Sequence, residues 1–520
     1  MTGLPADAVA RADRARDTRS GTIASLLGVM LFALAVHLPA RLGDLYGEQD
    51  VARLVNDALL WTRAGVRTDA LSQYRYYTSP AYIWLITLLL PGARDSLAPA
   101  AAALNAINLA AAVVITVPLF LLFRRIAGAR AALVGTLFLS VVPAFWQGGL
   151  YGFPSLPAEL FLVVAVWLFD RWLVGDGGRR AALPTLVACT LCLTASVLLK
   201  ADVYLGAVAL WGLLLYRRRL SWRSAALLAV VGVVPVVVLY GVATALLQES
   251  PGAFEYAGSW RATFPAAPGR ALTRVHVLQV VKSFGLLTLP LFAAALLVLL
   301  RERRYALAAL LLAWAVLPVA FWFPRWGDSA RHHFPATVPA ALGLGILLAA
   351  LRVRDVWRYV ALALVVAVNY FAFPPSSLTQ TTSGNLQGSA RRTARRLAVY
   401  HRLGREYAEL EVPRKAFLGA PTNPFAENQV LWLADSVVSV RAAVRFGASA
   451  REVEYMRDGV HYVSVDVYVT EAMRRRGETA PIAAAYREAG YRVFSAELFD
   501  GMRRRHRRVL DYRLTELPLP

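Results

Sequence analysis

Cysteine is almost absent from this chain, with two residues in 520, Cys189 and Cys192. No disulfide framework can be built from them. They lie in the apolar stretch LVACTLCLTA, where Val, Thr and Leu supply no polar partners, so the C-x-x-C spacing reads as packing rather than a zinc or redox pair. Acidic residues are also scarce: 34 Asp and Glu stand against 56 Lys and Arg, a net charge of +22. The stretch after residue 390 has no G-x-G-x-x-G, no P-loop and no H-x-x-x-H, so no nucleotide or zinc chemistry is assigned to it. The long apolar runs carry almost no charge at their centres, and the two halves of the chain show no repeat. Both absences argue against a transporter or lipid flippase with an external domain, the main alternative reading.

What is abundant is apolar surface. The composition is 57% hydrophobic with a mean hydropathy of +0.48, more than a soluble protein of this size can bury. Eleven apolar segments are long enough, with interfacial flanks, to cross a bilayer. They are Gly21–Leu38, Pro99–Phe123, Ala131–Trp146, Leu156–Phe169, Ala181–Leu199, Val203–Tyr216, Ala225–Leu247, Val277–Leu300, Tyr305–Phe323, Pro335–Leu351 and Trp357–Phe373. The amino end has a basic flank and an apolar core, as in a signal peptide. No small-x-small cleavage site follows Leu38, so it reads as an uncleaved first span.

Arginine orients the spans. Every second turn is basic (FRRIAGAR, DRWLVGDGGRR, YRRRLSWR, RERR and LRVRDVWR), and these turns hold sixteen arginines. The alternate short turns hold only Lys200, Arg325 and Arg331. The positive-inside bias therefore puts the basic turns and the amino end in the cytoplasm, and the carboxyl end outside, in a multi-pass plasma or inner membrane protein. The parity requires that Ser79–Leu90, ended by Pro91, does not cross; it reads as an interfacial or re-entrant helix. Topology alone accounts for the arginines, and no nucleic-acid partner is expected.

The expected organisation is a cytoplasmic tail (1–20), a transmembrane domain (21–373) with its first external loop at 39–98, a Ser/Thr/Gly linker (374–389) and an extracytoplasmic domain (390–520). In the last region Ala394–Leu410 and Pro481–Ala489 read as helices. Lys415–Gly419, Val460–Thr470 and Tyr491–Glu497 read as strands, giving a small α/β domain. Its arginine clusters, such as RRRHRR at 503–508, read either as a solvated surface or as contacts to anionic headgroups.

The first external loop is too polar to enter a bilayer, and it carries Asp44, Glu48, Asp50, Asp57 and Asp69. Within it GEQDVARLVNDALLW has apolar residues at helical spacing, with Asp50 at the amino end, where a carboxylate caps the helix and is stabilised by its dipole. The same orientation brings Glu159, Lys200, Asp202, Arg325, Arg331, His332 and His333 to the outer face. Lys200 there either snorkels and pairs with Asp202 or binds phosphate, Arg325 sits among interfacial aromatics, and at most one of the adjacent His332 and His333 faces a site.

From Asp50 to Pro91 the chain resembles the first external loop of membrane glycosyltransferases of the GT-C fold, particularly the bacterial protein-mannosyltransferase-like and aminoarabinose-transferase-like group (glycosyltransferase family 39-like). That family shows an Asp at a helix start, an Ala eight residues on, a Gly-containing turn and a Pro-Leu-Tyr-Tyr-type motif. Here these are Asp50, Ala58, Gly65 and SPAYIWLI. ARHHFPATVPAALGLG (Ala330–Gly345) resembles the family's Arg-Tyr-x-x-Pro-x-x-Pro segment. Val51 stands where Glu often follows the Asp, His332 where Tyr is usual, and Glu159 where the family has its second external acid.

The resemblance implies a GT-C-like polytopic helical membrane protein with about eleven spans and a small external α/β domain. It implies an inverting transfer of a sugar from a polyprenyl-phosphate donor to a hydroxyl of a protein, lipid or glycan acceptor. A carboxylate base is then needed, with Asp50 first and Glu48 and Asp44 in reserve. Cations are needed at the leaving phosphate, with Arg331, His332, His333, Lys200 and Arg325 as candidates. Glu159, Tyr76 and Tyr77 are expected at the acceptor. A divalent metal is compatible with this chemistry, but no ligand cluster in the sequence compels one.

Overall fold

The computed structural model describes residues 19–41, 79–89, 98–148, 154–175, 178–246, 277, 280–281, 283–326, 330–351, 353–371, 399, 402–419, 436–469, 471–503 and 507–517. Its first part is a helical bundle of α1 (Arg19–Arg41), α2 (Pro80–Leu89), α3 (Ala98–Val114), α4 (Thr116–Ala127), α5 (Ala129–Leu139), α6 (Pro143–Gly148), α7 (Ser155–Val174) and α8 (Gly178–Leu199), continued by α9 (Val208–Tyr216), α10 (Trp222–Leu246), α11 (Thr288–Arg301), α12 (Tyr305–Trp326), α13 (Thr337–Ala350) and α14 (Asp355–Phe371). Among the described residues five helical stretches are long and apolar enough to cross a membrane: Gly21–Leu38, Ala103–Ala127, Ala182–Leu199, Trp222–Leu239 and His333–Ala350. Shorter apolar helices lie between them, and the chain is a polytopic helical membrane protein.

Several expected spans are not continuous α-helices; Pro99–Phe123 divides at Ile115 into α3 and α4, and in Val277–Leu300 the residues Gly285–Leu287 lie outside α11. Ala131–Trp146 breaks after Leu139, because Pro143 has no N–H to donate and starts a new helix, α6, from its first position. The start of Val203–Tyr216 is a 3-10 helix, Ala201–Ala207, and the start of Pro335–Leu351 belongs to a second one, Ala330–Ala336. α2 spans ten residues, within the expected Ser79–Leu90; it buries Tyr82, Ile83 and Ile86 and packs on α8 and α10.

Small residues set the closest helix contact. α5 and α13 meet through Ala131 and Gly135 on one side and Ala341 and Gly345 on the other. Both pairs are spaced by four and present a flat stripe. A Cβ on Gly345 would stand 2.3 Å from the Ala131 carbonyl oxygen, so any side chain there pushes the two backbones apart.

One end of the bundle is tied by charge. Asp170, near the end of α7, is fully buried. Its carboxylate accepts from Arg125 Nε at 2.6 Å and Arg217 Nε at 2.8 Å, joining the α4–α5 turn to the end of α9.

The second part is a six-stranded sheet in the order β2-β3-β4-β1-β5-β6, from β1 (Arg414–Gly419), β2 (Ser436–Arg445), β3 (Ala448–Arg457), β4 (Val460–Tyr468), β5 (Arg492–Arg503) and β6 (Arg507–Glu516). β1 is parallel to β4 and β5, and the other pairings are antiparallel. Side chains alternate across β1. Ala416 and Leu418 pack with Tyr486 of α16 (Thr479–Glu488), which follows the short α15 (Glu471–Arg475). On the opposite face Phe417 meets Tyr407 of the helix at 402–409 edge-on. Lys415, also on that face, is buried and donates to the carbonyls of Tyr407, Ala408 and Leu410 at 2.8, 3.1 and 3.0 Å, closing the end of the helix.

The domain is more sheet-rich than the sequence reading. β2, β3 and β6 were not anticipated; of the RRRHRR cluster, Arg503 ends β5 and Arg507 and Arg508 open β6. Strands such as Ala448–Arg457 alternate charge with Val453 and Tyr455. A hydropathy criterion passes over them, although the sheet buries Ala448 and Ala450 on one face and Val453 and Tyr455 on the other.

Candidate active site

At the end of the bundle opposite Asp170, four chain segments converge on the start of α7. The 3-10 helix Ala201–Ala207 packs on α7, α8 and α12. The second 3-10 helix, Ala330–Ala336, packs on the first, on α6 and on α12. Gly206 makes this approach tight: a Cβ there would lie 2.5 Å from Leu162 Cδ2 of α7 and 3.4 Å from Pro335 Cβ. Pro335 and Pro339 keep the chain from continuing α12 as one helix, so a short turn bearing Arg331, His332 and His333 is held beside α7.

Glu159, one turn into α7, is fully buried, and neither carboxylate oxygen has a hydrogen-bond partner among the described residues. An acid held this way costs free energy unless a ligand satisfies it. Asp202 is close enough to interact with it electrostatically. Lys200, at the junction of α8 with the first 3-10 helix, is 9% exposed, and its Nζ stands 3.4 Å from Asp202 Oδ2. The pairing alternative for Lys200 is therefore realised. His333 is buried on the adjacent segment. Beside it Phe334 stacks on Phe145 of α6 (5.3 Å between centroids, 9°), and His37 of α1 meets the same ring edge-on at 6.0 Å.

Of the residues nominated from sequence, the structure thus gathers Glu159, Lys200 and His333 on packed elements. Arg331 and His332 are placed by their backbone in the same 3-10 helix as His333, and Arg325 by its backbone in the last turn of α12. Asp50, Glu48, Asp44, Tyr76 and Tyr77 lie outside the described residues. Among the described residues no three His, Cys, Asp or Glu side chains gather as a metal site; Glu159 and Asp202 are the two acids brought together.

Sequence reasoning treated Asp202 only as a partner for Lys200 and passed over His37, Tyr82 and Asn108. Tyr82, in the SPAYIWLI motif, is fully buried and faces Asn108 of α3. The signal was available: Asn105 and Asn108, three residues apart inside an apolar span, are polar groups that lipid does not accept.

Known structures share this fold. The ArnT protein of Cupriavidus metallidurans, determined with undecaprenyl phosphate bound, superposes over 95% of this chain and 98% of its own, with a TM-score of 0.57 at 13% identity. The chain has the GT-C fold. The oligosaccharyltransferase AglB of Archaeoglobus fulgidus, with an inhibitory peptide and a dolichol-phosphate, matches at a TM-score of 0.50 and 14% identity over 79% of this chain. A zinc- and sulfate-bound structure of the A. fulgidus oligosaccharyltransferase matches at 0.51 and 14% over 78%. This chain spans 63% and 61% of those two chains, whereas it covers nearly the whole of ArnT. No family model and no curated protein sequence matches.

Proposed function

We propose that this protein is a glycosyltransferase that moves a sugar from a polyprenyl-phosphate carrier to a hydroxyl acceptor at the extracytoplasmic membrane surface, with inversion at the anomeric carbon. The observation that carries the reading is the Glu159 carboxylate, without a hydrogen-bond partner among the described residues and buried beside the Lys200–Asp202 pair and the His333 segment. Its setting supports the reading: a GT-C bundle whose neighbour of matching length was solved with undecaprenyl phosphate. A membrane enzyme acting on a lipid phosphate needs a cation and a hydroxyl-binding acid at one end of its spans, and these residues supply both types.

In this reaction the acceptor O–H gives its proton to the Asp50 carboxylate as its oxygen bonds to the anomeric carbon from the face opposite the phosphate. The bond between that carbon and the phosphate oxygen breaks, and its electron pair leaves with the lipid phosphate. Lys200 and His333, with Arg331, His332 and Arg325 from neighbouring backbone positions, take up the charge that develops there. Arginine can hold two phosphate oxygens at once, which lysine cannot. Glu159 accepts a hydrogen bond from a hydroxyl of the sugar or acceptor, the partner that its oxygens lack among the described residues. Tyr76 and Tyr77 are assigned to the acceptor side. A divalent cation fits this scheme as a further charge at the phosphate, with Glu159 and Asp202 as its oxygen donors. Protein, lipid and glycan acceptors all present the required hydroxyl.

The test is Asp50→Asn in the full chain. Transfer should fall by about 100-fold or more, the usual contribution of a positioned base, with expression and membrane insertion at the wild-type level. Full transfer by a correctly inserted variant would refute the assignment.

A further inference from the structure

The bundle has a concave feature at the opposite end of α7 from Glu159. A cleft of about 460 Å³ opens between the end of α7, the turn after α9 and the start of α10. Glu159 and Val174 are fifteen residues apart on one helix, about 22 Å along its axis, so the cleft is no part of the site described above. Trp172, Leu173 and Val174 line it from the end of α7, and Arg219, Arg223 and Leu227 from the turn after α9 and the start of α10.

Three observations indicate the ligand chemistry. The first is charge. Arg217 of the same turn is paired with Asp170 at 2.8 Å, whereas no acidic side chain among the described residues lies within ion-pair distance of Arg219 or Arg223. The second is depth. Trp222 is 77% exposed, Leu220 56% and Val174 45%, and Arg223 stacks on the Trp222 ring at 5.5 Å. Exposed indole and apolar side chains interleaved with arginine mark the level where lipid headgroups meet acyl chains. The third is the lining itself, which brings two arginines together with Trp172, Leu173, Val174 and Leu227 and so suits a ligand with a phosphate at one end and hydrocarbon at the other.

We infer that this cleft binds the headgroup of an anionic phospholipid, in the leaflet opposite the transfer site. Its phosphate lies between Arg219 and Arg223, and an acyl chain passes over Leu227 and Val174. The shared chemistry is a phosphate anion. The apolar lining residues and the exposed Trp222 favour a lipid as its source over a soluble phosphate compound.

The experiment titrates full-length protein, in a neutral detergent, with phosphatidylglycerol and counts bound lipids by native mass spectrometry. One lipid should bind saturably. Arg219→Gln with Arg223→Gln should weaken it by about 25-fold, about fivefold per arginine. Leu227→Trp, which fills the cleft at constant charge, should also weaken it, and excess inorganic phosphate should not displace the lipid. Sugar transfer in the same detergent should be unchanged by these substitutions. Arg301→Gln with Arg354→Gln removes two exposed arginines from other turns at this end and should leave the bound lipid in place. An equal loss in that control would mean diffuse charge attraction and overturn the site. Displacement by inorganic phosphate would assign the cleft to a soluble anion and overturn the lipid. Unchanged binding in the Arg219/Arg223 variant would overturn both.

Discussion

Glu159 offers a test in which stability and activity should move in opposite directions. Its carboxylate is fully buried with both oxygens unsatisfied among the described residues, and Asp202 adds like charge nearby. Holding a buried polar group without partners costs about 1–3 kcal/mol by the scale of mutational data. Glu159→Leu replaces it with an apolar side chain of similar size and removes that cost. The Leu variant should therefore be more stable than the wild type by about 1–3 kcal/mol. Glu159→Gln keeps two polar atoms without partners and should stay within about 1 kcal/mol of the wild type. Transfer should fall in both, by about 100-fold in Leu, equivalent to about 2.7 kcal/mol of barrier. Unfolding in lipid nanodiscs reads the first quantity, and transfer from native polyprenyl-phosphate sugars in membrane vesicles reads the second. A Leu variant less stable than the wild type by more than about 1 kcal/mol would mean that the carboxylate is a satisfied structural group. In that case the reasoning fails whatever the activity.

Three further outcomes are expected. Asp170→Asn leaves Arg125 and Arg217 side by side without their anion, and it should cost about 3–5 kcal/mol in the same unfolding assay; a loss below about 1 kcal/mol would show the triad to be dispensable. In the α/β domain, burial and then Arg457 push the Lys415 amine down to about 7, so between that value and about 10.5 the unfolded chain holds a proton that the folded chain does not. Stability of the domain should rise with pH through this window. Above about 10 it should be opposed by Tyr455 and Tyr486, whose phenols burial holds up at about 12. Lys415→Met should flatten the rise, and an unchanged slope in urea titrations of the full chain would contradict the assignment. For sidedness, a cysteine at Ser72 should react with an impermeant reagent from outside the cell and one at Ser221 should not; the reverse pattern would invert the orientation.

The chemistry of the two bundle ends was legible because the membrane makes it so. Lipid admits almost no charge, so arginine collects in alternate turns and the remaining polar groups collect in the others, and residue order alone separates Arg125 and Arg217 from Lys200 and His333. Hydropathy gives the apolar segments for the same reason, since a span must be apolar along most of its length. Within those segments backbone geometry was less legible. The break at Pro143 was visible in principle, but the 3-10 turns at Ala201–Ala207 and Ala330–Ala336 follow from packing between elements far apart in sequence. The strands β2, β3 and β6 were hidden because charged residues interrupt their apolar ones and the alternation is irregular, as at Val437–Val438 and Val509–Leu510.

By itself the sequence determined that this chain lies in a membrane, which of its ends carry basic turns and which residue types are available for chemistry. All of these follow from the cost of placing charge in hydrocarbon, a property of each segment alone. Only the tertiary structure decided that Glu159 has no hydrogen-bond partner among the described residues, that Lys200 leans on Asp202 and that Asp170 collects two arginines. Those outcomes depend on close approaches such as Gly206 against Leu162 and Gly345 against Ala131, contacts between residues dozens to hundreds of positions apart that no local pattern encodes.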